Sequence, residues 1–172
     1  MKLLSVIDKN LAIGYQNSLL FHLPSDLAHF KKHTLGKWVV MGQNTLLSMP
    51  KGKPLPGRST LVLNIDAPSG KICDLEGGYA AYSFQSLSDF WEFVDGMQIR
   101  SELVVAGGAS IYRLLLDSCD ELVLTEVQAE AEKADTYFPE FRDKFVLENS
   151  EGPFADGSLV YRINTYKKRQ GA

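Results

Sequence analysis

One carboxylate in this sequence has neighbours that could give it a role in proton transfer. Residues 21–36 read FHLPSDLAHFKKHTLG, and Asp26 is the only acid among them. Pro24 suits the first turn of a helix, where an acid complements the helix dipole, so Asp26 could simply be a solvated helix residue. However, Phe30 follows four residues later, so the carboxylate borders the apolar face of that helix. Partial desolvation there would raise its pKa, as a group that handles protons near neutral pH requires.

Two glycine-containing turns could bind phosphate groups. The stretches VVMGQNTLLSM (39–49) and VVAGGASIY (104–112) each read as a strand, a glycine turn and the start of a helix. Glycine lets the backbone approach a ligand closely, and a helix N-terminus offers unpaired N–H groups to an anion. Neither stretch has the GxGxxG fingerprint, and each could be no more than a tight turn. Their combination favours a dinucleotide site.

A third candidate is Arg58, which stands just before a predicted strand in PLPGRST (54–60). An arginine in a turn is usually solvated, but its guanidinium could instead bind a carboxylate through two parallel hydrogen bonds. His29 and His33 have the i,i+4 spacing of a pair of metal ligands, but no nearby carboxylate or cysteine completes a site, so we expect no bound metal. The residues alone leave both interpretations of Arg58 open.

Composition and charge narrow the class of protein. The 172 residues, 45% of them hydrophobic, are enough for one domain with a real core, and we expect residues 1–172 to form it. The net charge of −3 disfavours a broad nucleic-acid surface, and no apolar stretch approaches membrane-spanning length. The two cysteines, Cys73 and Cys119, are too few for a disulfide framework. A cytoplasmic protein with reduced thiols is therefore expected.

Short apolar runs alternate with helical segments over the first two thirds of the chain. Strands that are covered on both faces are predicted at residues 3–7, 38–41, 59–64 and 102–107. Helices are predicted at residues 24–34, 43–48, 88–96 (capped by Ser88) and 109–116. This alternation predicts an α/β domain with a largely parallel sheet. The last third has strands without helices, partly joined by the turn-rich GPFADGS (152–158), which predicts an antiparallel edge.

Taken together, five stretches resemble dihydrofolate reductase in residue type, order and spacing over nearly the whole chain. They are IGYQNSLLFHLPSDLAHFKKHT (13–34), VVMGQNT (39–45), PLPGR (54–58), VVAGGASIY (104–112) and LTEVQAEAEKADTYFP (124–139). The resemblance implies a three-layer α/β fold with a mainly parallel eight-stranded sheet, an antiparallel C-terminal edge and about four helices. It also implies an enzyme that uses NADPH to reduce 7,8-dihydrofolate to 5,6,7,8-tetrahydrofolate, for one-carbon metabolism and thymidylate and purine synthesis. We further expect a cytoplasmic monomer that antifolate inhibitors target.

The resemblance also assigns roles to individual residues. Asp26 matches the single pocket carboxylate that binds the pterin, Thr125 matches the residue that supports it, and Phe21 completes the expected catalytic set. Arg58 matches the arginine that binds the α-carboxylate of the substrate's glutamate. The other expected substrate contacts are Leu4, Ser5, Val6, Leu27, Phe30, Met49, Leu55, Ala106 and Tyr112. The expected NADPH contacts are Val6, Ile7, Ile13, Gly14, Asn17, Leu19, Gly42, Gln43, Asn44, Thr45, Leu63, Asn64, Gly107, Gly108, Ala109, Ser110 and Ile111. Residues 13–23 match the mobile loop that closes over the nicotinamide.

Several positions depart from the family pattern. Phe21 stands where a tryptophan is expected, and Leu20 where proline is common. Ala106 takes the place of a larger aliphatic residue, which implies a roomier pocket wall. Gln43 and Ser110 stand where arginines often contact the cofactor's phosphates. These neutral residues imply a weaker preference for NADPH over NADH than is usual in the family.

Two other functions stay open at this point. A riboflavin-pathway reductase of related fold would reduce a ribosylated pyrimidine, but that substrate has no glutamate for Arg58 to bind. A non-catalytic nucleotide- or pterin-binding module is suggested only by Phe21 and the missing arginines. A fall in nicotinamide absorbance after dihydrofolate is added would distinguish all three.

Overall fold

The fold is described by a computed structural model for residues 1–171, which form twelve strands and four helices. The strands are β1 (Lys2–Ile7), β2 (Ala12–Tyr15), β3 (Ser18–Leu19), β4 (Trp38–Gly42), β5 (Ser59–Leu63), β6 (Gly70–Asp74), β7 (Ala80–Phe84), β8 (Leu103–Gly107), β9 (Glu121–Val127), β10 (Thr136–Tyr137), β11 (Phe145–Asp156) and β12 (Leu159–Lys168). The helices are α1 (Pro24–Thr34), α2 (Gln43–Ser48), α3 (Leu87–Met97) and α4 (Ala109–Leu115). None of these helices is long and apolar enough to cross a membrane.

Nine of the strands form one sheet in the order β11-β12-β9-β1-β8-β4-β5-β7-β6. Its six central strands, from β9 to β7, pair in parallel, and the hairpin of β11 and β12 adds an antiparallel edge. The predicted fold is therefore confirmed, with one strand more than the eight expected. The additional strand, β6, pairs antiparallel with β7 at the other edge. Its residues are mostly exposed, so it lacks the apolar run by which a buried strand is recognised.

The core lies on both faces of this sheet, because neighbouring residues of the central strands point to opposite sides. In β1, Leu3 belongs to the largest apolar cluster, which also contains Phe90 of α3, whereas Leu4 belongs to a second cluster with Leu23. A third cluster, of Val39, Met41, Leu46 and Val62, includes a residue of α2. Burial on both faces explains why the central strands read as nearly continuous apolar runs.

Helix α3 begins earlier than the sequence analysis predicted. Ser86, not Ser88, is its N-cap, and the Ser86 Oγ accepts a hydrogen bond from the Asp89 backbone N–H at 3.1 Å. The Ser-x-x-acid spacing that marks such caps fits Ser86 and Asp89, so the signal was present in the sequence. The helix also continues past Gly96 to Met97, and its C-cap Gln98 has a left-handed φ of 56°.

The last two strands form a longer hairpin than predicted. GPFADGS is not a linker, since β11 continues to Asp156 and only residues 157–158 separate it from β12. Two register shifts along β11, one of them beside Pro153, let this edge strand include a residue that cannot donate a ladder hydrogen bond.

We predict that removing the Ser86 cap destabilises the protein and that removing Ser88 does not. Ser86→Ala deprives the Asp89 N–H of its acceptor and should lower the free energy of unfolding by about 1 kcal/mol. Ser88→Ala replaces an exposed residue within the helix by a better helix former, so stability should be unchanged or slightly higher. Urea unfolding followed by circular dichroism measures both variants. An equal loss in both would contradict this assignment of the cap.

Candidate active site

A cleft of about 1530 Å³ opens where the parallel strands of the sheet end. Its walls come from β1, β8 and β9, from α1, and from the turns that follow β4, β5 and β7. Ligands of open parallel sheets usually bind at this edge, because the carboxyl ends of the strands meet there. The cleft exceeds the roughly 300–1,000 Å³ that is usual for one small molecule, so two ligands can lie side by side in it.

Asp26 lies in the first turn of α1 and is held against the sheet. Its Oδ1 accepts a hydrogen bond of 2.5 Å from the hydroxyl of Thr125, which is part of β9. The side chain is partly buried and lines the cleft. Of the two interpretations of Asp26, the solvated helix residue is therefore wrong, and the partly desolvated carboxylate is correct.

The surroundings of Asp26 raise the pKa of its carboxyl group. Burial is the largest cause, and the nearby Asp156 adds to it, while the Thr125 hydrogen bond and His29 act in the opposite direction. Burial also lowers the pKa of His29, so that this neighbouring ring is mainly neutral at pH 7. A carboxyl group whose pKa is raised towards neutrality can take part in proton transfer at physiological pH.

Arg58 places a positive charge at the same end of the cleft. The residue is only 4% exposed, yet it lines the cleft. Its Nε donates to the Pro56 carbonyl oxygen at 2.9 Å, and its Nη1 donates to the Thr34 hydroxyl at 2.8 Å. Burial lowers the pKa of Arg58, but a guanidinium stays protonated in proteins. Since these bonds use two of the five N–H groups, the others remain available for an anionic ligand.

Tyr112 joins α4 to the floor of the cleft. Its hydroxyl donates a hydrogen bond of 2.7 Å to the Leu4 carbonyl oxygen, and burial raises the pKa of this phenol. Gly107 has a φ of +115°, and a Cβ atom there would lie 3.0 Å from the Tyr112 Oη. Both the backbone conformation and this close approach require glycine. The peptide bond between Gly107 and Gly108 is cis.

The structure brings most of the sequence-predicted site residues together. All of them line the cleft except Ile7, Phe21 and Gly107. Ile7 is 1% exposed and belongs to the largest core cluster, and Gly107 is buried behind Tyr112. Phe21 packs against the second core cluster and has no polar side-chain atom with which to exchange a proton.

The segment predicted as a mobile loop contains a β-hairpin. Strands β2 and β3 are joined by Gln16 and Asn17, whose φ angles of 48° and 61° suit a tight hairpin turn. β10 pairs with β2 on its other side, and the Gln16 N–H donates to Asp135 at 2.9 Å. Five of these residues line the cleft: Ile13, Gly14, Asn17, Ser18 and Leu19.

The cleft extends beyond the site residues that were predicted individually. Its other lining residues are Ser18, His29, Lys31, Ser48, Pro50, Ile65, Asp66, Phe84, Gln85, Ser86, Leu87, Arg113, Leu114, Val123 and Thr136. Asp66 is the third residue after β5 and Gln85 the first after β7, so the rule that parallel strand ends share one edge could have indicated them. Within residues 1–171, no group of three or more His, Cys, Asp or Glu side chains could hold a metal ion.

Comparisons with known proteins agree on one family. A family model described as dihydrofolate reductase matches residues 1–168. The chain is 37% identical to the dihydrofolate reductase of Bacillus subtilis over 169 residues, which covers 96% of this chain and 93% of that protein. It is 35% identical to the enzyme of Haemophilus influenzae over 153 residues, covering 88% and 87% of the two chains. A solved structure of the Enterococcus faecalis dihydrofolate reductase, complexed with NADP(H) and RAB-propyl, has a TM-score of 0.78 at 26% identity and covers 97% of this chain and 95% of its own.

We predict that the Thr125 hydroxyl sets the pKa of Asp26. Thr125→Val keeps the shape of the side chain but removes the hydrogen bond that lowers this pKa, so the pKa of Asp26 should rise further. Thr125→Ser keeps the hydroxyl and serves as the matched control, for which the wild-type value is expected. The carbon-13 NMR signal of the Asp26 carboxyl group, followed against pH, measures both. A pKa that is equal in the valine and serine variants would refute this role.

Proposed function

The chain belongs to the dihydrofolate reductase family, and from this premise we propose how the residues of its cleft divide the work of the reaction. The protein reduces 7,8-dihydrofolate to 5,6,7,8-tetrahydrofolate with NADPH as hydride donor. Family membership decides against both the riboflavin-pathway reductase and the non-catalytic binding module. The observation that carries our assignment is the partly buried Asp26 carboxylate, bonded to Thr125 inside a cleft with room for two ligands.

Asp26 binds the pterin ring in this proposal. Thr125 occupies its Oδ1, so Oδ2 can accept hydrogen bonds from the pterin's amino group and ring nitrogen. A carboxylate bound there polarises the pterin and makes N5 more basic, so that N5 takes up a proton from water as C6 receives the hydride. The raised pKa of Asp26 supports this role, because the carboxyl group can then share a proton with the ring near neutral pH.

Apolar side chains around Asp26 surround the rest of the substrate. Leu27, Phe30, Met49 and Leu55 also line the cleft. We assign them to the flat pterin and its aromatic extension, from which they exclude water. Leu27 is 55% exposed, and an exposed leucine at the mouth of a cleft is a natural contact for an aromatic ligand. The Enterococcus faecalis relative binds RAB-propyl as well as NADP(H), and we propose that antifolate inhibitors occupy this part of the cleft.

Arg58 binds the α-carboxylate of the substrate's glutamate. The bonds from Nε and Nη1 to Pro56 and Thr34 hold its guanidinium in one orientation, so little side-chain freedom is lost when a carboxylate binds. Burial strengthens the attraction, since fewer water molecules screen the charge. Arg58 therefore selects substrates that carry a carboxylate.

The remaining part of the cleft fits a dinucleotide cofactor. Gly42 and Gly108 bring the ends of β4 and β8 close together, since a Cβ on Gly42 would lie 3.1 Å from Ile111 and one on Gly108 would lie 3.4 Å from Thr45. We assign this wall, with Gln43, Asn44 and Ser110 beside it, to NADPH. When bound, the cofactor supplies the hydride that the pterin receives.

We also propose that the protein works in the cytoplasm as a single domain spanning residues 1–172. Both cysteines are free thiols, with Cys119 buried, and this favours a reducing compartment. The nine-stranded sheet supports one domain, because its strands come from residues between 2 and 168.

We predict that Asp26→Asn keeps the fold and the affinity for NADPH but loses most turnover. The amide can still accept the Thr125 hydrogen bond but cannot exchange the proton, so kcat with dihydrofolate should fall by roughly 10²–10⁴-fold. Wild-type hydride transfer should slow as pH rises through the raised pKa of Asp26, and the variant should lack this dependence. Stopped-flow measurement of NADPH absorbance gives both results.

The matched control for Asp26→Asn is Asp156→Asn. Asp156 accepts hydrogen bonds from Ser25 at the same end of α1, so this variant removes an equal charge nearby. It leaves the Asp26 carboxyl group in place and only removes the smallest cause that raises its pKa. Its turnover should stay within about threefold of wild type, since it removes no proton-transfer group. An Asp26→Asn variant that is as active as this control would refute the assignment.

We predict that Arg58→Leu selectively weakens binding of the glutamate-bearing substrate. A charge-assisted hydrogen bond contributes about 1.5–3 kcal/mol, so KM for dihydrofolate should rise by roughly 10–150-fold. KM for a dihydropterin without the glutamate should change little. Because Arg58 also binds Pro56 and Thr34, the free energy of unfolding is measured alongside, to exclude partial unfolding as the cause. An equal loss with both substrates would mean that Arg58 is structural.

A further inference from the structure

The cleft extends well beyond the part that can hold dihydrofolate. Asp26 and Thr125 lie at one end, whereas residues 64–66 and 85–87, which follow β5 and β7, line the other. β9, which carries Thr125, and β5 are four strands apart in the sheet, roughly 19 Å at the usual spacing. Under the proposed function, on which this inference rests, the nicotinamide lies beside the pterin, so the adenosine half of the cofactor must extend to the far end.

This adenosine end has no positive charge among the residues that the structure describes. Its side chains are those of Gln43, Asn64, Ile65, Asp66, Gln85 and Ser86. The one charged group among them is the carboxylate of Asp66. A 2′-phosphate such as that of NADPH carries about two negative charges at neutral pH, so this end of the cleft repels it rather than attracting it.

The cations that line the cleft lie elsewhere. Lys31 belongs to α1, and Arg58 is bonded to Thr34 at the end of that helix. Arg113 is in the last turn of α4, the helix that follows β8. β4 separates β8 from β5, so the strand before Arg113 and the strand before Asp66 are roughly 10 Å apart. None of the three belongs to the segments that follow β5 and β7.

Backbone contacts hold Asp66 in place at the end of β5. The Asp66 N–H donates to the Asn64 Oδ1 at 3.1 Å, and the Gln85 Nε2 donates to the Ile65 carbonyl oxygen at 3.3 Å. Strands β4 and β5 with α2 between them form a parallel βαβ unit. Where such units bind a dinucleotide, an acid after the second strand binds the ribose 2′-hydroxyl of NAD, whereas an arginine nearby accommodates the 2′-phosphate of NADP. Asp66 matches the first case.

We propose that this protein accepts NADH as well as NADPH, with the Asp66 carboxylate accepting a hydrogen bond from the 2′-hydroxyl of the NADH adenine ribose. The reaction with NADH has the same stoichiometry as with NADPH. NADH gives a hydride to C6 of 7,8-dihydrofolate, N5 gains a proton, and the products are NAD⁺ and tetrahydrofolate. Asp66 acts on cofactor choice alone, by favouring a hydroxyl and opposing a phosphate at the same position.

The first test compares the two cofactors on the wild-type protein. Steady-state kinetics with saturating dihydrofolate gives kcat/KM for NADPH and for NADH. Calorimetry without any folate gives the dissociation constants of the two cofactors. We expect both measurements to show a preference for NADPH of less than about a hundredfold. A charged hydrogen bond to the 2′-phosphate would contribute up to roughly a hundredfold, and this protein lacks that bond. A preference of a hundredfold or more in binding would overturn the inference. If neither cofactor supports reduction, the proposed function fails, while the binding ratio still decides this inference.

Variants then test the role of Asp66 itself. Asp66→Asn should raise the NADPH-to-NADH binding ratio by roughly fivefold or more, since it weakens the bond to the hydroxyl and removes the repulsion of the phosphate. Gln43→Arg should raise the same ratio by strengthening NADPH binding, with NADH binding little changed. The matched control is Asp95→Asn, which removes an equal charge from an exposed carboxylate of α3 that does not line the cleft. Its ratio should stay within about twofold of wild type. An unchanged ratio in Asp66→Asn, or an equal shift in Asp95→Asn, would overturn the assignment.

Discussion

Parallel pairing of the six central strands is the constraint on which the rest of the structure depends. A parallel pair cannot be closed by a tight turn, so the chain must return across a face of the sheet before each new strand begins. Every central strand therefore ends at the same edge, and the segments that follow β4, β5, β7 and β8 come together there. The cleft consists of these strand ends, with α1 as its outer wall.

Burial acts differently on the charges at the two ends of this cleft. At the α1 end, Asp26 and Arg58 are both withdrawn from water, and each has a hydroxyl partner, Thr125 and Thr34 respectively. Desolvation disfavours the charged form of both groups, so it raises the pKa of the acid and lowers the pKa of the base. Burial thus moves the pKa of the acid towards physiological pH, whereas Arg58 stays a cation, and this difference fits the separate roles proposed for the two side chains.

The adenosine end has a different character, because its polar groups are neutral amides and hydroxyls with one exposed carboxylate. Neutral amides can hydrogen-bond a phosphate but supply no opposite charge, so in the proposed arrangement the choice between NADPH and NADH depends on Asp66. In that arrangement, hydride transfer takes place at the opposite end of the cleft. A change in cofactor preference therefore leaves the groups around the pterin untouched.

Much of this protein was determined by its sequence alone. Apolar runs predicted β1, β4, β5 and β8, and helix signals predicted α1 and α2, because these patterns depend on residues close together in the chain. The resemblance indicated the family and most of the cleft. Only the tertiary structure shows that the Asp26 carboxylate is partly buried and bonded to Thr125, 99 residues away, and that Asp66 and Gln85 share one cleft with it. These features depend on hydrogen bonds and burial between segments that are distant in the chain, and the local pattern of residues does not indicate which distant segments meet.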